Sequence, residues 1–525
     1  MRQARVLYHL MRADFLERVR RYSFLITLGL AVWLGWAVST GKLKLWISDT
    51  RGLYNSAWVG LLMAMVVNVF VSLAGFYVVK NALERDRRTG VGQILATTPM
   101  SKALYTLGKT LSNLAVLLAM VAVLAVMAIV AQFVAGEDTH IQVWPLLAPF
   151  LVFCVPAMAL VAAFAVLFET IPFLKGGFGN VVWFFLFVGA MPLGIKGTHD
   201  VIGLGLVRIQ LKAAVLKAFG TASDGFVLGA LDRESQMRPF RWEGMEWTRQ
   251  ILLSRLTLLA IALGVSLLAA LFFDRFDVSR SWGRRRLSRR DLAAAGGLAP
   301  AGHEAVSEPA PVPVHLHPLP AGSRRFHFLG LLRAELSLLL KGQRWWWYTI
   351  AAGLFVAGLL VPEEGRKIVL PLAWMWPVLL WSSLGSREAR FGTDGLVFSA
   401  AWPLQRQLPA TWLAGFILAL MTGGGVGLRL AATGNGPAAG AWLIGALFIP
   451  TGALALGVWS GTSKLFEVVY LFLWYIGPMN QVRPLDFMGA VPAAARTGIP
   501  LVWLAATVAL GVASVAGRKR QLAGR

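Results

Sequence analysis

Backbone amides in hydrocarbon find hydrogen-bond partners only within their own segment, so a long apolar run with few charges has to be helical. This chain has twelve such runs, at roughly 23–39, 58–79, 111–135, 145–168, 180–197, 250–273, 346–361, 368–385, 411–432, 438–459, 465–480 and 498–516. That pattern predicts an all-α polytopic membrane protein. About 20 residues make one crossing, so twelve crossings leave ample loops in 525 residues. Only 14% of residues are charged, against about a quarter in soluble proteins. A soluble enzyme and a disordered chain are excluded. Cys154 is the only cysteine, so an intrachain disulfide scaffold is excluded too. Its place inside an apolar run suits a small buried residue.

The net charge is +24. Most basic residues flank apolar runs, which points to cytoplasmic anchoring beside a lipid bilayer rather than to nucleic acid. Segment 274–345 alone holds twelve Lys and Arg. The bias places both termini in the cytoplasm of a multi-pass plasma (inner) membrane protein. Segment 196–249, with eight basic residues, is the exception on the outer side; long translocated stretches escape the rule. Met1–Arg21 is polar and Arg-rich without a cleavage site, so the first apolar run is expected to stay in the membrane. Residues 276–325 read as a cytoplasmic linker, Arg-rich and then Pro/Ala-rich. His303, His315 and His317 lie in it without cysteines or an ordered frame, which favours solvated linker over a metal site.

The two halves resemble each other. Glu84 and Pro99 are 15 residues apart, as are Glu388 and Pro403. Lys102 and Arg406 each follow the proline by three. Leu10-Met11-Arg12-Ala13-Asp14 precedes the first run, and Leu331-Leu332-Arg333-Ala334-Glu335 precedes the seventh. Each opens an apolar stripe: Leu7, Met11, Phe15, Val19 and Tyr22 in one, Leu329, Leu332, Leu336 and Leu339 in the other. Such spacing predicts a helix lying in the headgroup layer, although Arg18 interrupts the first stripe. The expected organisation is two tandem six-span modules, 1–275 and 326–525, in the same orientation.

The loop between the second and third runs has a charged turn, glycines at Gly90 and Gly92, a short apolar helix around Gln93-Ile94-Leu95-Ala96, and a stop at Pro99. A short apolar helix at the tip of a hairpin suits a groove on a soluble partner, with charges fixing register. The second copy has Leu396, Val397 and Phe398 there, and Trp402 where the first has Thr98. An amphipathic lead-in, a span pair, and then E…G…ILATTPMSK…GK before the third span resembles the membrane subunit of type-2 ATP-binding-cassette exporters, most clearly over 5–135 and 330–418. The resemblance implies that the loop helix couples to a separate ABC-type ATPase subunit. It implies contact roles for Glu84, Gly92, Gln93, Leu95, Pro99 and Met100. Through the repeat it implies them for Glu388, Leu396, Phe398, Pro403 and Leu404. Two such modules in one chain would supply a complete pathway, with two ATPase subunits as partners.

No G-x-x-x-x-G-K-[ST] loop occurs in the chain. ATP and Mg are therefore expected on the partner, with no cofactor on this chain and no enzyme activity of its own. An ion-coupled secondary transporter is a rival reading; it needs acids in mid-membrane, and Glu467 is its one candidate. A helix-face pair between Glu467 and Lys464 is the plainer reading. A membrane-embedded glycosyl or lipid transferase is a second rival, resting on Asp224, Asp232 and Glu234, whose spacing shows no catalytic pattern. A non-transporting sensor is a third. Asn68 reads as packing glue or a pathway group. Arg255 and Arg429 read as snorkelling to the outer interface. Trp345, Trp346, Trp347, Trp374, Trp376 and Trp381 read as an interfacial aromatic belt. Pro371 and Pro377 predict a kink in the eighth run. Segment 198–249 reads equally as a lid on the outer leaflet or as a small packed cap.

Overall fold

The computed structural model describes residues 2–20, 22–47, 49–195, 200–222, 225–229, 237–276 and 326–523. Nearly all of the linker, its three histidines, and Asp224, Asp232 and Glu234 lie outside the described residues. The chain divides into two compact units, 1–281 and 282–525.

In the first unit, helix α1 (Arg2–Val19) leads into α2 (Tyr22–Ser39). Two short strands follow, β1 (Lys44–Ile47) and β2 (Thr50–Gly52). The next helical stretch is α3 (Ser56–Val66), a π turn at Val67–Val71, and α4 (Ser72–Val79). A hairpin of α5 (Ala82–Arg88) and α6 (Val91–Thr97) leads into α7 (Lys102–Ala135). Then come α8 (Val143–Pro149), a second π turn at Phe150–Cys154, α9 (Val155–Thr170), α10 (Gly177–Ile195), α11 (Leu204–Phe219), β3 (Phe226–Gly229), β4 (Arg238–Phe240) and α12 (Arg249–Phe272).

The second unit begins with α13 (Phe328–Leu340) and α14 (Trp345–Leu360). Pro371 is accommodated inside α15 (Glu363–Met375), whereas Pro377 ends it and starts the short α16 (Val378–Trp381). A hairpin of α17 (Arg387–Phe391) and α18 (Asp394–Phe398) precedes α19 (Pro403–Ala432). The unit closes with α20 (Gly436–Ser460), α21 (Lys464–Trp474), a π turn at Tyr475–Met479, α22 (Pro492–Ala495) and α23 (Ile499–Ala523).

The protein is a helical, membrane-embedded chain. Among the described residues, eight helices are long and apolar enough to cross a bilayer: Ser56–Arg88, Lys102–Ala135, Val143–Thr170, Gly177–Ile195, Arg249–Phe272, Pro403–Ala432, Gly436–Ser460 and Ile499–Ala523. Twelve were expected. Two of the remaining runs form shorter apolar helices, Thr27–Ser39 and Trp345–Leu360. The last two are broken, one by Pro377 and one by the π turn that contains Pro478.

The apolar runs leave one element unforeseen, a small sheet of order β3-β1-β2-β4. Strand β1 pairs antiparallel with β2 and β3, and β2 pairs parallel with β4. It joins residues 44–52 to the segment after α11, whose Val207, Leu211 and Val215 are fully buried. Segment 200–249 is thus a packed cap in its described part. Arg255 is tied into this cap rather than reaching for water: its guanidinium donates to the carbonyls of Asp200 (2.7 Å) and Val201 (3.2 Å). Asn68, on the first π turn, donates to the Ile202 carbonyl at 2.6 Å and so holds the cap from below. Outside the spans, Arg51 clasps Glu137 through two 2.8 Å hydrogen bonds and holds its carboxyl below the usual range.

The tryptophans divide. Trp345 and Trp346 are exposed, as a belt requires, but Trp374 and Trp381 are core residues. Their indoles donate to the carbonyls of Ala419 (3.1 Å) and Gly415 (2.9 Å) on α19. Satisfied N–H groups let these large rings be buried fully.

Candidate functional site

The base of each hairpin is where ionisable residues converge. In the first unit α1 lies along α7. The Lys109 side chain on α7 is 1% exposed. Its ammonium lies 2.8 Å from Asp14 on α1 and 2.7 Å from Asp86 on α5. Arg85 reaches Asp14 at 2.9 Å, and the Tyr105 hydroxyl donates to Asp86 at 2.7 Å. Buried charges persist only when they are paired and hydrogen-bonded. This cluster meets that condition by drawing on three helices. Arg18, which interrupts the apolar stripe of α1, is buried on the same face as Asp14. Desolvation lowers its pKa while Asp14 opposes that shift.

Glu169, at the end of α9, fixes the hairpin from the other side. One carboxylate oxygen accepts from the amides of Asn81 (2.7 Å) and Ala82 (2.9 Å), the other from Leu83 (2.7 Å) and Glu84 (3.2 Å). These are the orphan donors at the start of α5, and an anion complements the helix dipole there. We expect Glu169→Gln to destabilise the hairpin by about 1–2 kcal/mol. Faster hydrogen exchange at amides 81–84 would report it, and unchanged exchange would refute it. Beyond the hairpin, Arg87 pairs with Asp274.

The second unit repeats the arrangement with different groups. Arg387 binds Glu335 of α13 at 3.2 Å. Gln407 of α19 donates to Glu388 at 2.9 Å, and Thr411 sits beside Glu335. Arg518 of α23 lies 3.7 Å from Glu388. The matching pairs are Arg85 with Arg387, Asp86 with Glu388, Tyr105 with Gln407 and Lys109 with Thr411, each 302 positions apart. Asp14 and Glu335, in the two matched lead-in motifs, complete the set. Matching Glu84 to Glu388 by sequence is therefore two residues out of register. Glu84 is partly exposed and pairs within its own helix with Arg88 (3.1 Å), whereas Glu388 is buried. Pro403 likewise occupies the first turn of α19, while Pro99 precedes the Ser101 cap of α7.

Burial raises the pKa of Glu335 more than Arg387 lowers it. The folded state then holds this proton more tightly than the unfolded chain. Its contribution to stability is greatest below the ordinary value of 4.5 and falls as pH rises through the folded pKa. Glu335→Gln should remove that slope, measured as the unfolding midpoint from acidic to neutral pH. An unchanged slope would show that another group sets it.

The hairpin tips are apolar and outward. Ile94 is 67% exposed and Leu396 79%. Val91, Phe391 and Trp402 are exposed beside them, and Gln93 and Pro99 are exposed on the first hairpin. Other residues expected to make outer contacts are half-buried or buried. Leu95 and Met100, both half-buried, pack against the core cluster that contains Leu83, Tyr105 and Phe273. Leu404 packs on Leu408, Leu454 and Val458. Phe398 lies beneath the Arg518 guanidinium, 4.6 Å away. Gly92 is buried, and a Cβ there would come within 2.7 Å of the Phe276 ring. Glu467 is buried at the start of α21, one turn after Lys464.

Alternation around a short helix was the available signal that Ile94, not Leu95, faces out. Asp14, Tyr105, Lys109 and Glu169 were missed as partners, since nothing local in the chain joins them. Comparison with family models, with curated proteins and with solved structures finds no match.

Proposed function

We propose that this chain is the pathway-forming subunit of an ATP-driven exporter in the plasma (inner) membrane. In this reading both termini are cytoplasmic, and two six-span modules are fused in one chain. Separate ABC-type ATPase subunits carry the ATP and Mg. They dock on hairpins 84–102 and 388–406, and their closure tilts each module between inward-closed and outward-open states.

One observation carries the reading. Each unit presents exposed apolar side chains on a short hairpin whose base is braced by buried ionisable groups to the following long helix. Exposed Ile, Leu, Phe and Trp at a tip suit burial against a partner. A braced base suits transmission of force, because the hairpin cannot move without carrying α7 or α19. The absence of a phosphate-loop motif from the sequence agrees with an external motor.

The test is capture of the tagged full chain from its own membranes, with cross-linkers placed at exposed positions 93 and 399. The expected result is a polypeptide containing a phosphate loop, cross-linked at both tips, whose ATPase activity rises on reconstitution with the chain. Recovery of the chain without any such ATPase, or with one cross-linked only elsewhere, would refute the proposal.

A further inference from the structure

We propose that the cavity between the α14–α15 turn and the α19–α20 turn of the second unit binds a phosphodiester monoanion. The cavity holds about 210 Å³ and is lined by Val361, Glu363, Arg366, Arg429, Thr433 and Asn435, among others. Typical small-molecule pockets span about 300–1,000 Å³. This one suits a single anionic group whose remaining atoms lie outside.

The decisive residue is Arg366. It is 4% exposed, and Nε, Nη1 and Nη2 are all buried without a hydrogen-bond partner. Its nearest anionic contact is Glu363, 3.9 Å away, too long for a hydrogen bond. The other polar side chains of the cavity each have a hydrogen bond. Arg429 Nη1 donates to the Leu359 carbonyl at 2.8 Å, Asn435 Nδ2 to Glu363 at 3.3 Å, and the Thr433 hydroxyl to the Arg429 carbonyl at 3.0 Å. A buried guanidinium with five unused N–H donors is strongly unfavourable unless an oxyanion meets it.

Charge selects the ligand class. Two arginines and one glutamate line the cavity, which leaves one positive charge on the lining itself; Asp486, outside the lining, also acts on Arg366. A phosphodiester carries one negative charge, and guanidinium groups match its oxygens in a bidentate fork. The location fits as well. Helix α19 has 30 residues and carries the hairpin at its first end and the cavity at its last. At 1.5 Å per residue that is about 45 Å, close to the full thickness of a bilayer with its headgroups. The site therefore lies at headgroup depth on the face opposite the hairpins, and it stands independently of the motor assigned to them.

The experiment uses the purified full chain in a neutral detergent and follows thermal unfolding with three probes. These are dioctanoyl phosphatidylglycerol, the soluble phosphodiester dimethyl phosphate, and uncharged dioctanoylglycerol. A rise in midpoint with the first but not the third is expected. A response to dimethyl phosphate as well assigns the site to the free group, and a response to the lipid alone assigns it to a headgroup; either supports the proposal. Arg366→Gln should weaken phosphatidylglycerol binding at least tenfold without lowering the ligand-free midpoint, since it removes an unpaired buried charge. A structural arginine would give the reverse, a lower midpoint with affinity unchanged. Should that variant fail to fold, Arg429→Gln decides through the same tenfold loss. No midpoint rise with either anion, or equal affinity in the variants, overturns the site.

Discussion

Replacing Lys109 with methionine is expected to destabilise the first unit by about 3–5 kcal/mol, the usual cost of removing one partner from a buried ion pair. The Lys109 ammonium is shared between Asp14 and Asp86, and its side chain is 1% exposed. Without it two carboxylates face each other at the base of the hairpin with only Arg85 and the Tyr105 hydroxyl to offset them. Methionine keeps most of the volume, so lost packing contributes little. Adding Asp86→Asn to the variant should recover a large part of the loss, because one stranded charge disappears with its partner. The measurement is denaturant unfolding of the full chain in detergent, with hydrogen exchange across α5 and α6 to locate the effect. A single variant within about 0.5 kcal/mol of the parent, the range of an ordinary surface change, would show that the cluster does not brace the hairpin.

If ATPase subunits dock on the hairpins, charging both tips should uncouple them without unfolding the chain. Ile94 and Leu396 make little use of the fold, being among the most exposed apolar side chains. Ile94→Asp and Leu396→Asp should therefore leave the unfolding midpoint nearly unchanged. If the tips fill pockets on ATPase subunits, each substitution buries a charge at the centre of an interface. An anchor of that kind is worth about 2 kcal/mol or more, which is roughly a thirtyfold loss of affinity per site. The double variant should show no stimulated ATPase activity and no transport. Leu95→Ala is the control with the opposite signature: Leu95 packs on the core cluster that contains Leu83 and Tyr105, so it should lose stability before it loses the partner. Full ATPase coupling in the double variant would remove the hairpins from the mechanism.

How much of this was legible in the chain follows from the range of each interaction. The apolar runs are local, and all twelve positions are largely helical; their breaks are set by Pro377 and by π turns, and a π turn has no reliable local signature. The short strands escaped because β1 draws its partner from residues some 180 positions later, and neither segment carries a pattern strong enough to be read alone. The hairpins were visible as paired loops, but the pairing was anchored on the similar surroundings of Glu84 and Glu388. Tertiary contacts instead equate Asp86 with Glu388. The one visible hint of the ion cluster was Arg18, a charge in an otherwise apolar stripe. Trp374 and Trp381 misled for a related reason: a tryptophan near a span end reads as interfacial until a carbonyl on a neighbouring helix is found to accept its N–H.

Helix α7 has 34 residues, about 51 Å at the standard rise. The hydrocarbon core is only about 30 Å thick, and transmembrane helices seldom tilt beyond about 40°. Even at that tilt the helix spans some 39 Å along the normal, so it works as a stiff shaft standing proud of the oily layer. Lys109 sits in its first two turns, where a charged cluster is still near water-filled headgroups. Shortening the shaft by two turns would draw that cluster into the oil.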